Sequence, residues 1–278
     1  MGKIRITKTG PLTSIQDFGR FGFRRYGIPQ SGAMDKEFMI VANQLAGNPN
    51  EFPVIEFAMS GIECEVLEDT FIATVGADLM VNDERSKPNR QLRKGDQVKI
   101  SAPEYMYGYL ALSGLLSAKQ DFGSFSTYQR AGFGGIEGRN IRKGDMVTTS
   151  KHSPIYKNGA IPNRGDSGVT EIRIMKGPEW ELLKELPASK VFQIDASSDR
   201  MGVRLKGANL ECDYHEIASS AVIPGTIQLP PDGQPIILMN DCQTTGGYPR
   251  IGKVVDEDLS RIAQIRVGKE VIVKMKDD

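Results

Sequence analysis

The stretch GTIQLPPDGQPIILMNDCQTTGGYPRIGKV, residues 225–254, decides the fold class that we predict. Two short β-rich runs, 225–229 and 235–239, are separated by a turn of proline, aspartate and glycine. Comparable runs recur along the chain at 3–7, 70–75, 97–100, 107–113, 171–175, 190–194 and 270–275. Many short strands bounded by turn residues are typical of β-barrels and sandwiches. We therefore predict a mainly β protein with a few short helices and two β-barrel-like domains.

Three stretches have helical patterns, and they lie at 32–50, 178–186 and 256–265. Between the first two of them, residues 148–170 are polar and rich in glycine, proline and serine, which is typical of a domain boundary. We predict an N-terminal β-rich domain at 1–150, a linker at 151–170 and a C-terminal β-barrel domain at 171–278.

The composition narrows the class of function. The 278 residues include 35 Lys plus Arg and 35 Asp plus Glu, so no net charge draws the protein to nucleic acid or membrane. Only two histidines occur, which argues against zinc centres and Ser-His-Asp catalysis, and we predict no metal-ligating residues. The three cysteines are widely spaced, and no segment reaches the ~20 apolar residues of a membrane span. We expect a cytoplasmic protein with reduced thiols.

The run DCQTTGGYPRIGK, residues 241–253, places two glycines and several hydrogen-bonding side chains directly after a buried strand. The groups that could contact a ligand belong to Gln243, Thr244, Thr245, Gly246, Gly247 and Tyr248. The paired glycines would let the backbone approach another group closely. The alternative is a strand-to-loop corner whose hydroxyl groups satisfy their own backbone. Composition alone leaves both interpretations open.

Two further stretches, residues 16–35 and 195–207, offer groups that bind anions. Their candidate residues are Arg20, Ser31, Asp35, Arg200 and Arg204. Arginine side chains bind carboxylate or phosphate with two parallel hydrogen bonds, and small residues before a helix leave its first N–H groups open to an anion. The alternative is that Ser31 or Asp35 only caps the helix and that the arginines are solvated surface charges.

Four motifs, in this order along the chain, together resemble one known family. They are DFGRFGFRRYGIPQSGAMD…ANQLAGNP (17–49), SFSTYQRAGFGGIEGR (124–139), DRMGVRLKG (199–207) and PGTIQLPPDGQPIILMNDCQTTGGYPRIGKV (224–254). They resemble the biotin-dependent carboxyltransferase A/B-type family, also called allophanate hydrolase subunit 2. This family includes the C subunit of the prokaryotic ATP-dependent 5-oxoprolinase and the regulator KipA. The resemblance covers about residues 4–275 and implies a cyclophilin-like β-barrel fold.

The resemblance also implies an activity and partners. It implies a component that is inactive alone and that opens 5-oxo-L-proline to L-glutamate with ATP, together with a KipI-like and a LamB/YcsF-like subunit. ATP would be a co-substrate with Mg²⁺. Gln243, Thr244 and Thr245 would be the catalytic donors. The remaining candidates, Arg20, Ser31, Asp35, Arg200, Arg204, Gly246, Gly247 and Tyr248, would bind the small anionic substrate.

Two other functions are compatible with the family. A KipA-like regulatory protein would bind a KipI-like histidine-kinase inhibitor and have no catalysis of its own. Biotin-dependent carboxyl transfer would need a biotin carboxylase and a biotinylated carrier, and this chain has the sequence context of neither. Formation of a homo-oligomer stays open.

Overall fold

The computed structural model describes residues 1–152, 154–155, 160–164, 169–185, 190–213 and 216–276. The chain forms two compact units. The first comprises Met1–Arg20 and Ser31–Asn163, and the second comprises Phe21–Gln30 and Arg164–Asp278. Residues 21–30 thus belong to the second unit although both of their flanks belong to the first. The predicted boundaries at 150 and 171 differ from these limits, and the division into folding domains stays a prediction.

In its described residues, the first unit contains two antiparallel sheets and one α-helix. Its strands are β1 (Lys3–Lys8), β2 (Leu12–Gln16), β3 (Val54–Ala58), β4 (Ile62–Glu68), β5 (Thr70–Val75), β6 (Leu79–Val81), β7 (Glu84–Arg85), β8 (Asn89–Leu92), β9 (Gln97–Ile100), β10 (Tyr107–Leu112) and β11 (Met146–Thr148). The six-stranded sheet has the order β11-β1-β4-β9-β6-β7, and the five-stranded sheet has the order β2-β3-β10-β5-β8. A 3₁₀ turn at Gln129–Ala131 lies between β10 and β11.

Alternation of apolar side chains builds the core of this unit. In β4, Ile62, Cys64 and Val66 are buried, whereas the residues between them are less buried. This period of two places one face of the strand against the core. Strand β10 is buried along its whole length, as expected for a strand in the middle of a covered sheet. The core therefore lies on the inner faces of the two sheets.

The helix α1 (Lys36–Leu45) is shorter than the predicted stretch of 32–50. Asp35 caps its first turn, and Gly47, with a φ of 73°, lies just beyond its last turn. Phe38 packs edge-on against Tyr109 of β10, with 6.3 Å between the ring centroids. The apolar face of α1 thus covers the five-stranded sheet.

The second unit contains a closed barrel of seven strands. The strands of this unit are β12 (Thr170–Lys176), β13 (Val191–Ile194), β14 (Gly202–Lys206), β15 (Ser220–Ala221), β16 (Thr226–Gln228), β17 (Ile236–Leu238), β18 (Thr245–Gly246), β19 (Arg250–Val254) and β20 (Glu270–Met275). The barrel closes in the order β12-β19-β16-β17-β14-β13-β20, with β12 and β20 parallel and the other pairs antiparallel. Strands β15 and β18 form a separate two-stranded sheet. The predicted mainly β fold with barrel architecture is confirmed.

Helices are few in the part of the second unit that the structure describes. The predicted helix at 256–265 is confirmed as α2 (Asp256–Ala263), and Asp258 binds the backbone and guanidinium of Arg173 on β12. The predicted helix at 178–186 is wrong for its described residues, which form only a 3₁₀ turn at Trp180–Leu182. Burial of Trp180 and the pairing of Leu183 with Cys212 end this turn early. Among the described residues, none of the helices has the length and apolar character that crossing a membrane requires.

Candidate functional site

The polar glycine stretch forms one strand of the separate two-stranded sheet. Strand β18 pairs with β15, with Gly246 opposite Ser220 and Thr245 opposite Ala221. Two further bonds extend the pairing, because the N–H of Val222 donates to the carbonyl of Thr244 (3.1 Å) and that of Ile217 to the carbonyl of Gly247 (2.8 Å). We call residues 217–222 and 243–248 together the ribbon.

A pair of side-chain amides supports the ribbon. Nε2 of Gln243 donates to Oε1 of Gln228 (3.1 Å), and Gln228 on β16 is buried. Nε2 of Gln228 lies 3.5 Å from the carbonyl oxygen of Tyr248, so one amide contacts both ends of 243–248. A Cβ at Gly246 would lie only 2.5 Å from Nε2 of Gln228. A side chain at this position would therefore displace the amide of Gln228, and the constraint comes from close packing rather than from the φ angle.

Several polar groups of the ribbon face outward. The side chains of Thr245 and Tyr248 are exposed, and those of Gln243 and Thr244 are partly buried. Neither threonine hydroxyl makes a hydrogen bond with any described residue. These hydroxyls are thus open to a ligand, contrary to the interpretation in which they satisfy their own backbone.

Arg200 forms an ion pair within the second unit. Its Nε lies 2.8 Å from Oδ2 of Asp241 and its Nη2 lies 3.2 Å from Oδ1, while the N–H of Asp241 donates to the carbonyl of Arg200 (2.9 Å). The guanidinium therefore already has a carboxylate partner and tethers the chain just before the ribbon. Arg204 is exposed on β14, where its backbone N–H donates to Oγ of Ser198 (3.0 Å). Anion binding by either arginine stays a prediction.

Two other arginines hold the backbone of the ribbon. Nη2 of Arg24 donates to the carbonyl oxygens of Val222 and Gln243, the latter at 2.9 Å. Nη1 of Arg250 donates to the carbonyl of Ala221 (3.1 Å). The first of these arginines lies in the 3₁₀ turn Arg24–Tyr26, within the segment 21–30 that belongs to the second unit.

The position of Arg250 is set by Glu179. Nε and Nη2 of Arg250 donate to the two carboxylate oxygens of Glu179, at 2.9 and 2.8 Å. These hydrogen bonds hold the pKa of Glu179 below its ordinary value and raise that of Arg250. Both groups are charged at neutral pH, so the pair is a fixed support for the ribbon.

Cys242 lies directly before the ribbon but does not have the properties of a nucleophile. Its side chain is buried, and burial raises the pKa of the thiol above the ordinary cysteine value. The thiol is therefore protonated at neutral pH, whereas a reactive cysteine is a thiolate. Its Sγ lies 3.9 Å from Nη2 of Arg24, which counteracts the effect of burial only in part.

In the first unit, Arg20 is fully buried. Its Nη2 donates to the carbonyl of Ser126, and its guanidinium carbon lies 5.6 Å from the ring centroid of Phe133. Nearby, the carboxylate of Asp17 accepts hydrogen bonds from the hydroxyls of Ser124 and Ser126, both at 2.6 Å. An anion that binds Arg20 would have to be enclosed with it, and this role stays a prediction.

Asp35 is the N-cap of α1. Its Oδ1 accepts from the N–H groups of Glu37 and Phe38, both at 3.1 Å, so its own carboxylate occupies the positive end of the helix. Its N–H donates to the hydroxyl of Tyr109 (2.7 Å), which in turn donates to buried Glu56 (2.7 Å). Burial raises the pKa of Tyr109 well above its ordinary value, so the hydroxyl keeps its proton. Binding of substrate by Asp35 stays a prediction.

Ser31 is buried and has a φ of 56°, in the left-handed region that L-residues rarely adopt. Its Oγ has no hydrogen-bond partner among the described residues. The structure therefore shows no capping role for Ser31, and a role in binding stays a prediction. No group of three or more His, Cys, Asp and Glu side chains suited to a metal ion occurs in the described part of the chain.

A family model described as carboxyltransferase domain, subdomain A and B, matches residues 26–274. The chain belongs to this carboxyltransferase-domain family. The match covers the ribbon, the barrel and most of the first unit, so the resemblance carried by the four sequence motifs is confirmed.

Relatives of this carboxyltransferase-domain chain include two proteins named as the C subunit of 5-oxoprolinase. The Haemophilus influenzae protein is 37% identical and the Escherichia coli protein 33% identical, each alignment covering 96% of this chain and 89% of the relative. A solved structure, that of TTHA0988, is 26% identical with a TM-score of 0.86. The similarity extends over 100% of this chain and over 56% of that chain.

Sequence reasoning missed two side chains that the carboxyltransferase-domain fold brings to the ribbon. Arg24 stands in the same arginine-rich motif as Arg20 and Arg25, and composition could not rank the three. Gln228 lies in a strand with no sequence signal beyond its polar character between Ile227 and Leu229. In a barrel strand, such a buried polar residue indicates a specific partner, and the partner is Gln243.

Proposed function

We propose that this chain is the C subunit of a prokaryotic ATP-dependent 5-oxoprolinase and acts in a complex with two other subunits. One observation carries the proposal: two proteins of that name are 37% and 33% identical to it over 96% of its length. The complex opens 5-oxo-L-proline to L-glutamate and hydrolyses ATP. The chain alone is inactive, and its partners are a KipI-like and a LamB/YcsF-like subunit.

The reaction sets the chemical needs of the site. A lactam amide is a poor electrophile, and transfer of the ATP γ-phosphoryl group to its oxygen, with release of ADP, would make the ring carbon reactive towards water. Cleavage of the ring C–N bond, with a proton going to nitrogen, would then leave an acyl phosphate. A second water would hydrolyse the acyl phosphate to L-glutamate and phosphate. Such a path requires hydrogen-bond donors at the developing oxyanion and cations for the substrate carboxylate and the phosphates. ATP enters with Mg²⁺ as a co-substrate.

The ribbon supports this proposal through the groups that it presents. The hydroxyls of Thr244 and Thr245 are open, and the amide of Gln243 is held by Gln228. We assign to Gln243, Thr244 and Thr245 the role of donors to the reacting amide. The close backbone at Gly246 and Gly247 and the exposed ring of Tyr248 would contact the substrate.

Arg200 and Arg204 are assigned to the anionic groups of the substrate, as the family motifs imply. Nε and Nη2 of Arg200 already donate to the carboxylate of Asp241. An anion that binds Arg200 would therefore share the guanidinium with Asp241. Arg20, Ser31 and Asp35 are buried within the first unit, and their roles remain assignments from the motifs. The three cysteines are free and buried, which supports a cytoplasmic location for the complex.

Reconstitution tests the proposal directly. The purified chain is mixed with the KipI-like and LamB/YcsF-like subunits from the same genome, and ATP hydrolysis and glutamate formation are measured with and without 5-oxo-L-proline. We expect activity that depends on 5-oxoproline and is lost when any one protein is omitted. Thr245→Ala should lower turnover, whereas Ser117→Ala, which removes an exposed hydroxyl from the first unit, should not.

The opposite result has a definite meaning. A stable complex with the KipI-like subunit, without hydrolysis that depends on 5-oxoproline in the full mixture, would overturn the enzymatic proposal. It would favour the KipA-like alternative, in which this chain only sequesters a KipI-like protein. Normal turnover in Gln243→Ala and Thr245→Ala would leave the function intact but remove these residues from the site.

A further inference from the structure

Arg24 differs from Arg200 and Arg250, two other partly buried arginines of the second unit. Arg200 and Arg250 each form an ion pair with a carboxylate, at Asp241 and Glu179. Among the described residues, Arg24 has no carboxylate partner. Its Nη2 donates to two main-chain carbonyls and lies 3.9 Å from Sγ of Cys242, and its buried Nη1 has no acceptor in the described part of the chain.

The contacts of Arg24 are unfavourable for the stability of the folded state, so stability by itself does not explain them. Arg24 is partly buried, and withdrawing part of a guanidinium from water requires compensation, which carbonyl groups supply less completely than a carboxylate does. An unsatisfied N–H group adds to this cost. Because side chains with such a cost persist where they serve a function, the contacts of Arg24 indicate what it does.

The two carbonyls belong to the two strands of the ribbon. Val222 follows β15, and its own N–H donates to the carbonyl of Thr244, while Gln243 precedes Thr244 on the opposite side. Nη2 of Arg24 thus joins the two segments of the ribbon at the end that contains Val222 and Gln243. The rigid, planar guanidinium suits this role, because its N–H directions are fixed once the side chain is placed.

We infer that Arg24 is the positioning residue of the ribbon, which fixes the main chain of Gln243 and so aims the donors at 243–245. It acts through the ribbon and need not touch the substrate. The catalytic consequence rests on the proposed function, whereas the structural consequence can be measured on the isolated chain.

Hydrogen exchange measures the structural consequence. In Arg24→Ala, we expect amide exchange to accelerate about 10-fold or more in peptides covering 216–223 and 243–249, with unchanged exchange in the barrel strands β12 and β20. The matched control is Arg25→Ala. Arg25 is exposed, and its guanidinium carbon lies 4.8 Å from the ring centroid of Tyr26. Unchanged ribbon exchange in Arg24→Ala, or equal acceleration in both variants, would overturn the inference.

Kinetics of the reconstituted complex separate positioning from a purely structural role. A donor displaced by about 1 Å can lower turnover by about 100-fold, so we expect Arg24→Ala to reduce kcat strongly and KM little. Arg24→Lys, which keeps the charge and can reach one carbonyl, should recover part of kcat. Faster ribbon exchange together with wild-type kcat would contradict the positioning role. If wild-type protein has no 5-oxoproline activity, the proposed function fails, and the exchange result still decides whether Arg24 holds the ribbon.

Discussion

Asp241 holds the guanidinium of Arg200 with both of its carboxylate oxygens, at 2.8 and 3.2 Å. The side chains are 12% and 19% exposed, respectively, so the pair is largely removed from solvent. Because Asp241 lies just before Cys242 and Gln243, this pair fixes the point at which the chain leaves β17 for the ribbon. The guanidinium of Arg200, which the motif at 199–207 suggests for anion binding, therefore also holds the chain in place through Asp241.

We expect Asp241→Asn to lower the free energy of unfolding by about 1.5–3 kcal/mol, since a partly buried charged hydrogen-bond pair is lost. Urea denaturation measures this change. Asp213→Asn is the matched control, because Asp213 is exposed and, among the described residues, its backbone N–H donates to the carbonyl of Leu182 while its carboxylate has no partner. Equal midpoints for the two variants would show that the Arg200–Asp241 pair contributes nothing to stability.

The two adjacent glycines of the ribbon should respond differently to alanine. At Gly246, a Cβ would lie 2.5 Å from Nε2 of buried Gln228, whereas at Gly247 the nearest atom is the carbonyl oxygen of Ile217 at 3.4 Å. We expect Gly246→Ala to destabilise by about 1–3 kcal/mol and to displace the side-chain amide signals of Gln228 and Gln243 in NMR spectra. Gly247→Ala should change stability by less than about 0.5 kcal/mol.

The Glu179–Arg250 pair makes stability depend on pH. Hydrogen bonds from Arg250 lower the pKa of Glu179 in the folded state, so its stabilising effect is complete above the unfolded pKa. The effect is then lost as pH falls through the lower, folded pKa. We expect the stability deficit of Glu179→Gln to be full at pH ~6 and to shrink below about pH 4.3.

Glu181→Gln is the control for this pH dependence, because Glu181 is exposed and lies 3.4 Å from Lys176. Urea denaturation at several pH values gives the comparison. A deficit in Glu179→Gln that stays constant down to about pH 3, well below the unfolded pKa of glutamate, would mean that the folded pKa of Glu179 is not depressed.

The N-cap of α1 can be tested by a pair of variants. Asp35→Ala should lower the free energy of unfolding by about 2 kcal/mol, at the upper end for an N-cap, because Asp35 is fully buried. Asp35→Asn should cost much less, since asparagine caps helices about as well. If the two variants are equally destabilised, the negative charge of Asp35 matters more than its capping hydrogen bonds to Glu37 and Phe38.

Much of the local structure could be predicted from the residues. The β-rich run at 97–100 predicted β9, and the period of about 3.6 residues at 32–50 predicted α1, because burial of one face imposes a period on the sequence. The helix predicted at 178–186 was wrong in its described part because a short helical pattern is overridden when Trp180 and Leu183 find partners in the second unit. Residues 153, 156–159 and 165–168 of the predicted linker lie outside the described residues.

The sequence by itself determined that this protein is built mainly of short strands, that it belongs to the carboxyltransferase-domain family, and that residues 243–248 are rich in hydrogen-bonding groups. These properties depend on local residue patterns or on the order of motifs along the chain, and both can be read from the sequence without a structure. Only the tertiary structure decided which charges are paired: Arg200 with Asp241, Arg250 with Glu179, and Arg24 with two carbonyls 198 and 219 residues away. Coulomb and hydrogen-bond energies depend on distances in space, and no spacing along the chain reveals which guanidinium meets which oxygen.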